Sequence, residues 1–299
     1  MAPRIVIGHT NPDTDSIGSA ILLAHLETAL GRPTEPKALG EPNAETRYVL
    51  ERFGFEAPEI ISSTGDAQVL IVDHTERSQA PPDLSSDRIV GIVDHHKLGD
   101  IQTTNPPSVI IAPLGSTATI IARLYDQYGV ALSDALKGLA LCCILSDTVI
   151  LRSPTTTEED SDLAHELAED LGVELTELGK AQFEAKADFG SKQPSEVLAI
   201  DMKAYVMGSK KIAIAQVEVA DPSIILGHAE RYREAMQSER EMKGYDSFIF
   251  IVTDIMNDGS HLLVDGLESE VSAVLGTGFV DGLMSRKKQV VPPLEKRYA

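Results

Sequence analysis

In the first half of the chain, three short apolar runs and one apolar helix all end in aspartate or histidine. Arg4-Ile5-Val6-Ile7 leads through Gly8 into His9, Asp13 and Asp15; residues 69–72 lead into Asp73-His74; residues 89–93 lead into Asp94-His95-His96. Residues 133–146 read as a helix and lead into Asp147. Runs of four or five residues without polar alternation suit strands buried on both faces of a parallel sheet. Helical patterns fall between or after them, over residues 17–30, 44–53, 116–128, 133–146 and 158–171, with a further strand over 109–112. This alternation predicts an α/β fold whose N-terminal part is a mainly parallel sheet flanked by helices. Strand C-termini of such a sheet share one edge, where ligands bind, so these separate chain ends are expected to meet.

Past residue 187 the pattern changes. Residues 188–194 (DFGSKQP) lack periodicity and carry turn formers, which reads as a linker. Strands over 203–207 and 211–219 flank Gly208-Ser209, a charged helix is expected over 222–243, and strands over 248–253 and 261–265 flank a turn at 257–259. The expected organisation is an N-terminal domain over 1–187, a linker over 188–194 and a smaller C-terminal α+β domain over 195–299. Clefts between domains commonly hold sites.

His9, Asp13 and Asp15 are metal-ligand types, although Asp13 and Ser16 also suit the start of a helix. Asp73, Asp94, His95, His96 and Asp147 add the same chemistry from three other chain ends. A single aspartate at a strand end is most often a turn or cap residue; four ends with one chemistry are better explained by cations that relieve carboxylate repulsion. Carboxylates with imidazoles and no thiolate favour Mn²⁺, Co²⁺, Fe²⁺ or Zn²⁺ over Ca²⁺, and imidazole argues against Mg²⁺ as the tightly bound ion. About seven candidate ligands exceed one tetrahedral site and suit two ions, roughly 3.5–4 Å apart and bridged by a carboxylate and a hydroxide, an arrangement for phosphoryl hydrolysis.

Charge narrows the substrate. The 299 residues carry 26 basic and 46 acidic side chains, a formal net of −20, and that field repels nucleic acid and anionic membranes. Against it stands Ser285-Arg286-Lys287-Lys288, the densest cationic stretch, which with Lys203 can clamp phosphate oxygens or can be a solvated terminal segment. Gly115-Ser116-Thr117 opens a helix and offers backbone N–H groups to an anion, with N-capping as the simpler role. Cys142 and Cys143 are adjacent in an apolar stretch and read as a reduced, buried pair of a cytoplasmic protein. There is no signal-peptide core and no apolar run of membrane-spanning length. Phosphate-loop, HExxH, GxSxG and paired CxxC templates are absent.

The ordered motifs HTNPDTDS (9–16), VDH (72–74), DHH (94–96), SDT (146–148) and SRKKQVVP (285–292) together closely resemble the family II, manganese-dependent inorganic pyrophosphatases of the DHH phosphoesterase superfamily. The resemblance implies that His9 and Asp13 bind one ion, that Asp15, His95 and Asp147 bind the other, and that Asp73 bridges them. His96, Lys203, Arg286 and Lys287 match substrate-contacting positions, with His96 a proton donor or hydrogen-bond partner for the leaving oxygen. It further implies hydrolysis of pyrophosphate to two orthophosphates between two domains, by a hydroxide bridging two tightly bound Mn²⁺ or Co²⁺ ions, with Mg²⁺ accompanying the substrate. A cytoplasmic homodimer joined through the N-terminal domain is expected, with no nucleic-acid or membrane partner. Thr75 departs from the Asn that often follows Asp-His in the family. No inserted regulatory domain fits between the motifs. Other DHH phosphoesterases, acting on nucleotides or polyphosphate, are the nearest alternative, disfavoured by the SRKK stretch and the lack of a glycine-rich, histidine-containing ending. A non-catalytic metal-binding protein would leave the cationic stretch unexplained.

Overall fold

The computed structural model describes residues 3–187 and 192–298. The chain divides into two compact units, Met1–Lys186 and Ala187–Ala299. Of the expected linker, residues 188–191 lie outside the described residues, and Pro194 already opens a helix.

The first unit runs β1 (Arg4–Ile7), α1 (Thr14–Ala29), β2 (Glu35–Ala38), α2 (Ala44–Phe53), β3 (Glu59–Ile60), β4 (Gln68–Val72), β5 (Ile89–Asp94), β6 (Ser108–Ile111), α3 (Thr117–Tyr128), α4 (Asp134–Asp147), α5 (Glu158–Leu171) and α6 (Leu175–Ala187). Among the described residues the strands form one sheet in the order β3-β2-β1-β4-β5-β6, and every pairing is parallel. The chain therefore winds outward from β1 in one direction and from β4 in the other. That reversal opens a crevice beyond the C-terminal ends of β1 and β4, the place where doubly wound sheets bind ligands.

Strand periodicity explains the two faces. Ile5 and Ile7 of β1 join Val69, Ile71, Ile89 and Ile92 in one cluster, closed by Ala80 and Leu84 from the connection after β4. Helices α1 and α3 pack on the sheet, and α1 also packs against α4. The α1–α4 approach is close: a Cβ added at Gly18 would stand 2.2 Å from Cys143 Sγ. Cys142 and Cys143 are both buried and unbridged, as the sequence suggested. Helix α1 begins three residues before the expected start, because the Asp13 side chain accepts from Ser16 N at 3.0 Å and caps it. Strands β2 and β3 and helix α6 were not foreseen; β2 reads Glu-Pro-Lys-Ala, with no apolar run, and exists through its pairing with β1.

The second unit runs α7 (Pro194–Ile200), β7 (Met202–Met207), β8 (Lys210–Val219), α8 (Ser223–Leu226), α9 (Ala229–Lys243), β9 (Ser247–Asp254), β10 (Gly259–Asp265), α10 (Glu268–Leu275), β11 (Gly278–Asp281), a π-helical turn at Arg286–Val290 and α11 (Val291–Tyr298). Its sheet has the order β11-β10-β9-β8-β7, with β8 and β9 parallel and the other pairs antiparallel. Alternate residues serve opposite cores: Ala213, Ala215, Phe248 and Phe250 face Tyr232 and Met236 of α9, while Ile212, Ile214, Ile249 and Ile251 face Val271 of α10 and Leu294 of α11. The single helix expected over 222–243 is broken: Gly227 ends α8 and His228 precedes α9, so the pair lies at a joint and not within a helix.

Candidate metal centre

The switch-point crevice holds the predicted cluster. His9 follows β1, Asp13 and Asp15 sit at the start of α1, Asp73 follows β4, His95 and His96 follow β5, and Asp147 ends α4. A cavity of about 560 Å³ is lined by His9, Asp13, Asp73, His95, His96 and Asp147, among others. A larger depression of about 1150 Å³ between α3, α4 and α5 gathers no such ligand set, and its Arg123 and Lys137 are paired with Glu159 and Asp170.

Among the described residues, three overlapping groups have ligand atoms within 4.8 Å of one another: His9, Asp13 and Asp73; Asp15, Asp73, His95 and Asp147; and Asp73, His95 and His96. Asp73 belongs to all three. Its Oδ2 lies 3.4 Å from His9 Nε2 and its Oδ1 lies 3.4 Å from His95 Nε2, and His9 Nε2 is also 3.6 Å from Asp13. His95 Nε2 is 3.3 Å from Asp147. The Asp73 backbone is left-handed, φ 65°, which costs a non-glycine residue about 1–2 kcal/mol. Val149, Ile150 and Leu151, just past Asp147, are left-handed as well, with φ of 51°, 55° and 61°. Such strain concentrates at functional sites, where the surrounding structure over-determines the backbone.

Both ligand-type histidines are oriented by their far nitrogens. Nδ1 of His9 bonds the Thr10 carbonyl at 2.9 Å, and Nδ1 of His95 bonds the Leu114 carbonyl at 3.0 Å, which leaves each Nε2 facing the carboxylates. This is the way protein frameworks fix a metal-binding imidazole. His95 Nε2 is buried and makes no hydrogen bond among the described residues. Asp15 is fully buried and accepts from Ser19 Oγ, Ser116 Oγ, Thr117 N and Ala118 N at 2.7–3.1 Å. The anion expected at Gly115-Ser116-Thr117 is therefore the Asp15 carboxylate of the same chain, and Ser116 also caps α3. Thr117 Oγ1 donates to Asp73 at 2.9 Å. Ser19 was not singled out from sequence, and Thr117 only for its backbone N–H and not for its hydroxyl, because small hydroxyl residues in helices give no signal.

Electrostatics describe a cluster that wants cations. Burial favours neutral His9, but the Asp13 and Asp73 carboxylates outweigh it and raise its pKa to about 11. Burial is likewise overcome at His95, raised to about 12 by Asp147 and Asp73. Burial and the Asp73 charge raise Asp15 to about 7, and burial and Asp15 raise Asp147 well above the carboxylate range. Burial would raise Asp73 too, yet His9 and His95 hold it below its ordinary value. Protons on imidazoles here do the work that divalent ions would do better. Oriented Nε2 atoms, converging carboxylates and absent thiolates fit Mn²⁺ chemistry. His96 is not buried in this way: its Nδ1 donates to Asp94 at 2.9 Å, which raises its pKa, and its side chain is half exposed. Asp94 itself is fully buried.

The predicted cationic residues belong to the second unit. Arg286 is buried and donates to the Asp201 carboxylate at 2.8 Å and to the carbonyls of Asp201 and Ile214 at 2.5 and 3.2 Å. Lys203 lies across from Ile214 in the β7–β8 pairing and is exposed, as is Lys287. Lys203 and Arg286 thus both neighbour the Ile214 backbone.

A doubly wound parallel sheet with a histidine–aspartate cluster at its switch point, joined to a smaller mixed-sheet unit, defines a DHH-type metallophosphoesterase architecture. Residues 4–144 match the DHH family, N-terminal domain, and residues 180–297 match the DHHA2 domain. The manganese-dependent inorganic pyrophosphatase of Methanocaldococcus jannaschii is 41% identical over 99% of both chains, and a relative from Archaeoglobus fulgidus, named a probable manganese-dependent inorganic pyrophosphatase, is 40% identical over 98% of both. A crystal structure from Methanococcus jannaschii, assigned to the family II inorganic pyrophosphatases, is 41% identical, covers 99% of both chains and superposes with a TM-score of 0.63. The chain belongs to the family II, manganese-dependent inorganic pyrophosphatases and is a hydrolase.

Proposed function

We propose that this protein hydrolyses inorganic pyrophosphate to two orthophosphates at a dinuclear Mn²⁺ or Co²⁺ centre. The carrying observation is that Asp73 belongs to both the His9–Asp13 group and the Asp15–His95–Asp147 group, so one carboxylate can serve two ions. His9 and Asp13 would hold one ion and Asp15, His95 and Asp147 the other. Two such ions would supply Lewis acidity, lowering the pKa of a bound water and offsetting phosphate charge.

The chain's own residues do the rest. Asp15, gripped by four donors, and the imidazoles, fixed through Nδ1, keep the ligand set in register before substrate arrives. His96 is held by Asp94, whose carboxylate raises its pKa, and it donates to the leaving phosphate oxygen. Lys203, Arg286 and Lys287 contribute positive charge to the substrate, Arg286 as a planar fork and the lysines as point charges. Mg²⁺ enters with the pyrophosphate, and the protein works as a cytoplasmic homodimer joined through its first unit.

The test is phosphate release from pyrophosphate with Mg²⁺, after chelator stripping and reloading with Mn²⁺, beside tripolyphosphate, a nucleotide 3′-phosphate and a short oligonucleotide. Release from pyrophosphate that vanishes on stripping and returns with Mn²⁺ is expected. Faster release from another substrate would replace the substrate assignment while keeping the metal centre.

A further inference from the structure

Asp160 touches none of the proposed ligands, yet it is fully buried and accepts four hydrogen bonds. Two come from Thr157, N at 2.9 Å and Oγ1 at 2.6 Å; the first, with Asp160 N donating to Thr157 Oγ1, makes the capping box that starts α5, and the second tightens it. The other two have no part in capping. Gly115 N donates to Asp160 Oδ2 at 2.7 Å and Thr119 Oγ1 donates to Oδ1 at 2.6 Å, from more than forty residues away.

Residues 114–118 are the segment through which the metal cluster is held. The Leu114 carbonyl accepts from His95; Ser116 Oγ, Thr117 N and Ala118 N donate to Asp15; Thr117 Oγ1 donates to Asp73. Asp160 and Thr148, the neighbour of Asp147, together fill the space where a Gly115 side chain would stand: an added Cβ would lie 2.8 Å from Asp160 Oδ2 and 2.7 Å from Thr148 Cγ2. Asp160 bonds this segment at Gly115 and again just beyond it at Thr119.

We infer that Asp160 is a positioning residue of the metal centre, fixing residues 114–119 so that His95, Asp15 and Asp73 stay in register for cations. The inference rests on the ligand set proposed above. Without Asp160, Gly115 N–H is left buried and unbonded, a cost the segment relieves by shifting. The ligands keep their identity and lose their alignment, so cation affinity falls while chemistry at saturating cation persists; outer-shell losses of this kind typically weaken metal binding by about 10–100-fold.

The experiment titrates Mn²⁺ into the chelator-stripped full chain by equilibrium dialysis, alongside thermal melting without metal, for wild type, Asp15→Asn, Asp160→Ala, Asp160→Asn and Thr119→Val. Asp160→Ala is expected to bind Mn²⁺ about tenfold or more weakly, with turnover recovered at high Mn²⁺. In Asp160→Asn the amide oxygen can keep Gly115 and Thr157 while the Thr119 hydroxyl turns to accept, so affinity within about threefold of wild type is expected. A loss there as large as in the alanine variant overturns the hydrogen-bond account. Affinity within about twofold of wild type in a folded Asp160→Ala, with only the melting temperature lowered, makes the residue a structural cap and overturns the inference. Should Asp160→Ala fail to fold, Thr119→Val carries the test: weaker binding supports the inference and unchanged binding overturns it. Unchanged binding in Asp15→Asn would instead strike the ligand set itself.

Discussion

The two units hold their charged groups in opposite ways. In the first, carboxylates and imidazoles are locked: Asp15 by four donors, His9 and His95 through backbone carbonyls, Asp73 by Thr117 on a strained backbone. In the second, Arg286 alone of the three proposed cationic groups is buried, tied to Asp201 and two carbonyls, while Lys203 and Lys287 stand in solvent. Ions need ligands fixed within a fraction of an ångström, whereas a lysine can neutralise phosphate from a range of positions. Fixed groups should therefore fail sharply when changed and solvated ones gradually.

The largest effect is expected at Asp73. Asp73→Asn keeps a residue tolerant of left-handed backbone and removes the charge shared by both ligand groups, so Mn²⁺ stoichiometry should fall and turnover should drop by more than about a thousandfold. Full Mn²⁺ loading in that variant would break the contrast.

Acidity gives the next. Without cations, raised His9 and His95 stabilise the fold fully below about pH 6.5, and that contribution is lost as pH climbs toward about 11 and about 12. Raised Asp15 adds to the same trend, since its favoured neutral form disappears between about pH 4 and about 7. Asp73, held low, acts oppositely, but its contribution is complete once pH exceeds about 4. Stripped protein should melt at lower temperature at pH 9 than at pH 6.5. Mn²⁺ must displace the protons, so its affinity should rise by about tenfold per pH unit for each proton released. A flat affinity profile would remove the histidinium picture.

In the second unit, Arg286→Ala should lower kcat/KM by about a hundredfold with Mn²⁺ affinity unchanged. It should also cost about 1–3 kcal/mol in urea melts, since two carbonyls lose their donor. Lys287→Ala should lower kcat/KM about tenfold, with less loss at high salt and no change in melting. Equal losses at both positions would erase the distinction between buried and solvated cations. Smallest is Thr75→Val. Thr75 Oγ1 accepts from Gly99 N at 2.7 Å and donates to the Lys97 carbonyl at 3.1 Å, so about 1–3 kcal/mol of stability should go while turnover stays within about twofold.

Much of this was legible in the chain. The apolar runs of β1, β4 and β5 announced a parallel sheet because burial on both faces leaves no room for polar alternation. Their Asp and His endings announced a site because a parallel sheet brings C-terminal ends to one edge. Elements without an apolar signature escaped: β2, with Pro36 and Lys37, is a strand only because β1 offers it a ladder. The joint at Gly227-His228 was hidden inside a charged stretch whose composition suits one helix as well as two.

The sequence by itself determined which groups gather at the crevice, since residue type and order along the chain are enough to collect carboxylates and imidazoles at strand ends. Only the tertiary structure decided what holds them. That Ser116, Thr117 and Ala118 grip Asp15, that Thr117 reaches Asp73, and that Asp160 anchors the whole segment depends on contacts spanning 41 to 103 residues. Hydrogen bonds over such separations leave no periodicity behind, because their partners meet only after the sheet and helices have packed.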